Sequence, residues 1–431
     1  MDLEAARRIV AEWLEEWRPP DLIPRETPPP ALEKLSEILA IVGPRRAGKT
    51  YFMFQLLEDL ITRSVCARDD ILFMDFEDYR LADMKPVDID LLFVAFNQLA
   101  GKPPRFLFFD EIQHLPSWSR VLRTLHNQRR YKIVVSGSNS QLLGREVSTE
   151  LRGRYRDLPI LPFSFREVCH FRHIRYTSRT FHTAKRGQII KAFDDYARNG
   201  GFPEILQKSD VTEKRKLLQN YYQTVFYRDI MERHSVKARP LLEALMRYCV
   251  NTSAEQFSVS AFGKHWKQQG LPGSKRTIAA YLRYLEEAFF LIVHEKYSYS
   301  PRKRIMNPKK IYLLDPGFVS LATQFSENRG KILENVAAVE LYRQQREAFY
   351  HQGRKECDFI VLADGKPSEA IQVCWELNDR TENREFSGLQ EAMKAFHIKK
   401  GTILTYSQSG SRTLLGRDIE IVPVWKWLLS N

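Results

Sequence analysis

Cysteine is scarce in this 431-residue chain. Five are present (Cys66, Cys169, Cys249, Cys357 and Cys374), odd in number, scattered and without a Cys-x-x-Cys pair. That excludes a disulfide framework and a zinc knuckle, and it leads us to expect reduced thiols in a cytoplasmic protein. No apolar run approaches the ~18 residues that a membrane span needs, so no membrane association is expected. Internal repeats and low-complexity tracts are missing too. The first residues, MDLEAARRIVAEWLEEW, are amphipathic and have the pattern of neither a signal peptide nor a transit peptide.

What is present is an ordinary globular composition, 43% hydrophobic and 28% charged, at a length that predicts two or three domains with separate cores. A net charge of +13 favours an anionic partner, although surface charge also serves solubility. Residues 1–18 read as a helix with Ile9, Trp13 and Leu14 on one side. Arg18 to Pro30 is a proline-rich linker or strap. Strands near 38–42, 71–75, 105–109 and 131–135 alternate with helices near 49–62, 87–99 and 117–128, and a further strand lies near 157–161. That alternation predicts an α/β fold with a parallel sheet and helices on both faces.

The first strand runs into IVGPRRAGKT, which has the G-x-x-x-x-G-K-[ST] spacing of a phosphate loop. The cradle comprises Gly43, Pro44, Arg45, Arg46, Ala47, Gly48, Lys49, Thr50 and Tyr51. Glycines let backbone N–H groups turn inward at a helix N-terminus, where the dipole favours an anion. Lys49 is placed to reach the β- and γ-phosphates of ATP, and Thr50 to ligate Mg²⁺. Arg45 and Arg46 either touch phosphate or a neighbouring subunit, or are solvated loop charges. The strand in RFLFFDEIQHLPSW ends in Asp110, where Mg²⁺ belongs, and Glu111 follows to polarise the attacking water. After the next strand, in YKIVVSGSNSQLLG, Ser138 or Asn139 reads the γ-phosphate, caps a helix, or does both.

The run GPRRAGKT, FMDFED, FFDEIQHLPSW, SGSNSQLL, LRGRYRDLPILPFSFREV and GGFPE resembles archaeal and bacterial AAA+ ATPases that carry a C-terminal DUF4143-type domain. The resemblance covers nearly the whole chain. It implies an AAA+ core, ATP/ADP as nucleotide and hydrolysis. It also implies that Arg152 or Arg154 acts on nucleotide in a neighbouring subunit of a homo-oligomer.

The expected organisation is a helix and linker at 1–30, the ATPase core at 31–163, a helical lid at 164–250, a winged-helix domain at 251–328 and a nuclease-like domain at 329–431. In the lid, Gly200, Gly201 and Glu204 form either a tight inter-helix turn or, as the resemblance implies, a feature near nucleotide. Between 251 and 310 stand 11 Lys or Arg against 4 Asp or Glu, a net +7. Helix, turn, helix and strand followed by a basic loop make a winged-helix outline. Lys275, Arg276 and Arg283 lie on its second helix. Arg302, Lys303, Arg304, Lys309 and Lys310 form the wing. Two readings stand: phosphate contacts to duplex DNA, or a packing module with a solvated basic face.

The α-β-β-β-α-β-α order after 329 resembles the PD-(D/E)XK nuclease fold. Glu334 and Asp358 fit its helix acid and strand aspartate. In IQVCW, Gln372 stands where that pattern has an acid and Cys374 where it has a lysine, so the site is expected to be degenerate and inactive in Mg²⁺. Lys355 or Arg354 is the nearest substitute in sequence. The leading functional expectation is an ATPase coupled to DNA. A nucleotide-gated switch that recruits a protein partner is the alternative, and an ATP-regulated nuclease is the third.

Overall fold

The computed structural model describes residues 1–137, 153–268, 270, 273–322, 329–414 and 416–430, and packing divides the chain into two units, Met1–Pro162 and Phe163–Asn431. The first unit contains α1 (Leu3–Ala11), β1 (Ile38–Val42), α2 (Lys49–Thr62), β2 (Ile71–Asp75), α3 (Ile89–Ala100), β3 (Phe106–Asp110), α4 (Trp118–Asn127), β4 (Lys132–Gly137) and β5 (Tyr155–Pro159). The sheet order is β2-β3-β4-β1-β5, with every pairing parallel. β1 and β3 are buried along their whole length. A strand covered on both faces must be continuously apolar, which is why ILAIV and FLFF lack alternation. Each fully buried Phe or Leu there contributes about 1.5–3 kcal/mol relative to exposure.

The N-terminal segment packs on this sheet. Trp13 donates its indole N–H to the Ile71 carbonyl at 2.6 Å and stacks on Phe73. The proline-rich stretch that follows is a strap: Gln55 donates to the Ile23 carbonyl, and Arg25 donates to the carbonyls of Ala47 at 2.9 Å and Leu161 at 2.6 Å.

The second unit begins with α5 (Phe165–Phe171), α6 (Arg186–Asn199), α7 (Pro203–Leu206), α8 (Val211–Thr224) and α9 (Arg239–Asn251). The helix expected over 213–233 is α8 continued by a wider turn, Val225–Glu232. Next come β6 (Glu255–Phe257), α10 (Val259–Gln268), α11 (Lys275–Glu287), β7 (Leu291–Glu295), the short α12 (Pro301–Met306) and β8 (Lys309–Leu313). These strands form an antiparallel sheet ordered β6-β8-β7.

The chain closes with α13 (Arg329–Arg343), β9 (Ala348–Gln352), β10 (Glu356–Ala363), β11 (Lys366–Val373), α14 (Glu382–Ala395), β12 (Lys400–Thr405), β13 (Gly410–Leu414), β14 (Arg417–Pro423) and α15 (Val424–Ser430). Its sheet is ordered β13-β14-β12-β11-β10-β9, antiparallel at β9-β10-β11 and parallel at β11-β12-β14. β13 was not anticipated. It is an exposed edge strand with no buried face to leave an apolar signature.

The glycine pair of GGFPE sits at the end of α6. Gly200 has φ +80°, and a Cβ there would lie 1.7 Å from Asp315 Oδ1; the Gly201 N–H donates to Asp315 Oδ2 at 2.8 Å. Glu204 accepts from the Tyr221 hydroxyl at 2.6 Å. The tight-turn reading accounts for these residues, because only glycine allows so close an approach.

Candidate functional site

The loop between β1 and α2 needs its first glycine. Gly43 has φ +150°, and a Cβ there would lie 2.0 Å from the Ile160 carbonyl. Lys49 is 4% exposed at the start of α2, donates to the Pro44 carbonyl at 3.2 Å and lies 3.6 Å from Glu111 Oε1. The Thr50 hydroxyl donates to Asp110 Oδ2 at 2.6 Å, and the Ser136 hydroxyl donates to Asp110 Oδ1. The Glu111 N–H donates to Ser136 Oγ at 3.1 Å. Glu111 itself has φ +47°, a conformation that a non-glycine residue keeps only when its surroundings impose it.

Burial pushes the Asp110 carboxyl up to about 6, even though Ser136 and Thr50 donate to it. A buried carboxylate beside a threonine hydroxyl is an oxygen donor set that suits Mg²⁺, which takes one or two protein oxygens and leaves the rest to water and phosphate. Thr50 and Asp110 therefore fit that ion.

Three residues that the sequence reading missed surround this crevice. Arg25 grips the Ala47 carbonyl within the phosphate loop. Glu77, after β2, pairs with Arg45 at 3.3 Å and with His114 at 3.5 Å. His114, then Arg45, hold the Glu77 carboxyl down to about 2, and Glu77 raises the His114 imidazole in turn. Glu77, Glu111 and His114 bring their ligand atoms within 4.8 Å of one another. FMDFED and FFDEIQHLPSW contain Glu77 and His114, but nothing in either motif pairs them. Arg25 had no signal beyond its place in the strap.

Arg46 is exposed at φ +64°, and Tyr51 is half exposed. Arg154 is partly buried, and its carbonyl accepts from the Ile38 N–H at 2.8 Å. Ser138, Asn139 and Arg152 lie outside the described residues.

In the second unit, Ser274 caps α11 by accepting from the Thr277 N–H at 3.1 Å. Lys275 and Arg276 are exposed at the start of that helix, and Arg283 is exposed beside Glu287 at 3.4 Å. Arg302 and Lys303 are exposed, and Arg304 is partly buried over the Phe349 ring. Lys309 and Lys310 do not belong to the wing. Lys309 donates to Glu295 at 2.5 Å, and Lys310 is a buried residue of β8.

Lys310 lies at the floor of a cavity of about 630 Å³. Its ammonium is 2.6 Å from Glu334 Oε1, 2.6 Å from Glu356 Oε1 and 2.8 Å from Asp358 Oδ1. Burial opposes its charge, yet Asp358, Glu334 and Glu356 keep it well above the ordinary lysine range. Burial, then Asp358, raises the Glu334 carboxyl, which also accepts from the Tyr312 hydroxyl at 2.8 Å. Glu334 and Asp358 thus meet, as expected, but the cation comes from β8 rather than from the nearest lysine in sequence. Lys355 remains at the rim, its N–H donating to Glu391 at 3.2 Å. Gln372 donates to Glu385 Oε2 at 2.7 Å, which brings in a carboxylate that the sequence reading did not consider. Cys374 packs in the apolar cluster with Phe386 and Leu389, and burial pushes its thiol up to about 12.

The AAA domain family matches residues 35–169, and the family described as Domain of unknown function (DUF8612) matches 190–329. The DUF4143-type domain expected at 329–431 is not among these matches. An uncharacterized protein of Methanocaldococcus jannaschii is 33% identical over 407 residues, covering 92% of this chain and 89% of that protein. One from Haemophilus influenzae is 26% identical over 399 residues, covering 91% and 94%. Among solved structures, the Walker-type ATPase of Pyrococcus abyssi is similar at 14% identity and a TM-score of 0.44, covering 72% of this chain and 99% of that one. No helix among the described residues is long and apolar enough to cross a membrane.

Proposed function

We propose that this chain, which belongs to the family of its Methanocaldococcus jannaschii relative and carries an AAA domain over 35–169, is an ATPase that binds ATP with Mg²⁺ and couples hydrolysis to duplex DNA. The observation that carries the proposal is the linked set of Lys49, Thr50, Asp110, Ser136 and Glu111 in one crevice. Lys49 holds the β- and γ-phosphates. Thr50 and Asp110 hold Mg²⁺, which neutralises charge on the phosphates when bound. Glu111 orients the water that attacks the γ-phosphate. Asn139 reads that phosphate, and Arg152 or Arg154 completes the site of a neighbouring copy in a homo-oligomer.

We assign 31–163 to the ATPase core, 164–250 to the lid, 251–328 to a winged-helix domain and 329–431 to a PD-(D/E)XK-like domain. The order α9-β6-α10-α11-β7-β8, with its three-stranded sheet, supports the winged helix. Lys275, Arg276 and Arg283 with Arg302, Lys303 and Arg304 form the face that takes DNA phosphates.

The test measures ATP turnover with and without duplex DNA. Lys49→Ala abolishes nucleotide binding. Glu111→Gln keeps ATP bound and slows turnover by about 10²-fold or more. A Glu111→Gln enzyme within about threefold of the parent sinks that assignment. Turnover indifferent to DNA favours a nucleotide-gated switch instead.

One observation favours a nuclease as a second reading: Lys310 supplies the cation that β11 lacks. A lysine ammonium has three N–H donors. Here the three are directed at three carboxylates, so none remains to position water. We therefore assign Lys310 as a fixed cation within an inactive site.

A further inference from the structure

The segment between β7 and β8 has a secured base and an open tip. At the base, Lys309 donates to the Arg304 carbonyl at 2.7 Å, and the Tyr350 hydroxyl donates to the Pro308 carbonyl at 2.7 Å. The Tyr297 N–H donates to the Tyr350 carbonyl at 2.8 Å. At the tip, α12 buries none of its residues. Ile305 is 70% exposed and Met306 78%, with Tyr299 at 73% just before the helix. Exposed single apolar residues are ordinary, but here two adjoin each other on an anchored projection.

Charge narrows what covers them. Residues three apart share a helix side, so Arg302 stands beside Ile305 and Lys303 beside Met306. Each apolar end therefore has a cationic neighbour one turn away. The complementary surface is apolar and flanked by anions. A base step between its two phosphate strands has that character. A lipid surface shares it, but two side chains on a six-residue helix present far less apolar face than an interfacial helix uses. The exposed Lys275 and Arg276 on α11 add a second basic feature within the same module, which suits the spaced phosphates of a duplex.

We propose that the tip is a wedge: Arg302 and Lys303 take phosphates at the edges of the minor groove while Ile305 and Met306 enter a base step and kink the duplex. This rests on the DNA-binding reading above. Apolar wedges act by partly unstacking a step, and pyrimidine–purine steps such as TA yield most readily.

The test uses the full chain and a duplex of about 24 base pairs with a central TA step, end labels for energy transfer and 2-aminopurine beside that step. Binding is read by anisotropy and distortion by the other two signals. The parent should bind, shorten the end-to-end distance and raise 2-aminopurine emission. The Ile305→Ser/Met306→Ser variant, altered only at exposed positions, should bind within about tenfold of the parent while losing both distortion signals. Arg302→Ala/Lys303→Ala should instead weaken binding and lower its salt dependence. Parent-like distortion in the Ile305→Ser/Met306→Ser variant overturns the wedge and leaves DNA binding standing. A parent that binds no duplex at low salt overturns the DNA reading and the wedge with it. Binding to phosphatidylserine vesicles, lost in the Ser variant while duplex distortion is retained, reassigns the tip to membrane.

Discussion

Arg25 ties the proline-rich strap to the phosphate loop through the Ala47 carbonyl and to the chain after β5 through the Leu161 carbonyl. It points its charge at backbone oxygens beside the residues that meet phosphate. We expect it to fix the loop before nucleotide arrives, so that Arg25→Ala raises the KM for ATP about three- to tenfold and leaves kcat within about twofold. An unchanged KM in steady-state turnover would remove Arg25 from that role. His294 is a second residue with a measurable consequence. Its ring is buried against Tyr312 and Phe359, and Nδ1 has no hydrogen-bond partner among the described residues. Burial, then Lys310, pushes its pKa down to about 3. The folded state thus takes up the proton later than the unfolded chain, whose histidine titrates near 6.5. The stability held above that pH is lost as pH falls toward 3. The parent should lose about 2 kcal/mol more than His294→Phe between pH 7 and pH 5. Parallel urea-denaturation midpoints for the two proteins would show that His294 does not titrate this way.

At the scale of elements, legibility followed burial. β1 and β3 are covered on both faces, so their apolar runs were plain, and the cap at Ser274 was plain because its partner is local. β8 was harder. Its apolar stretch starts at Ile311 only if lysine is read as surface; the strand begins at Lys309, and Lys310 is buried. Sequence pattern cannot reveal a buried lysine whose carboxylate partners lie on α13 and β10. That reading enlarged the expected wing by two residues and leaves α12 as the basic element of the segment. Arg302→Glu with Lys303→Glu should weaken duplex binding across sequences and reduce the slope of log K against log salt by about 2. Arg304 is better left in place, because it covers Phe349 and its loss would disturb packing. A slope equal to that of the parent would mean that the tip touches no phosphate.

At the scale of the molecule, Lys310 ties together two stretches of different sequence character within the second unit. From the middle strand of the β6-β8-β7 sheet it reaches acids on α13 and β10, so that sheet and the C-terminal one share one ion cluster. Removing the lysine leaves carboxylates buried without their cation, which costs about 3–5 kcal/mol in comparable cases. Lys310→Met should therefore lower the stability of the whole second unit, read as an earlier denaturation midpoint. The same cluster governs the nuclease question. With the ammonium between Glu334, Glu356 and Asp358, a divalent ion must compete with a tethered charge that cannot diffuse away. We expect no cleavage of linear, supercoiled or branched DNA in Mg²⁺, and none in Mn²⁺, which tolerates mixed ligands better. Cys374→Lys would not restore a nuclease cation, because Cys374 belongs to the apolar cluster with Phe386 and Leu389. The decisive comparison is the parent against Asp358→Ala in Mn²⁺, with the fold of each checked by its denaturation curve. Cleavage by the parent that disappears in a folded Asp358→Ala protein would mean that Lys310 swings free to serve catalysis. Equal inactivity in both would leave Lys310 as the fixed cation that joins the two modules.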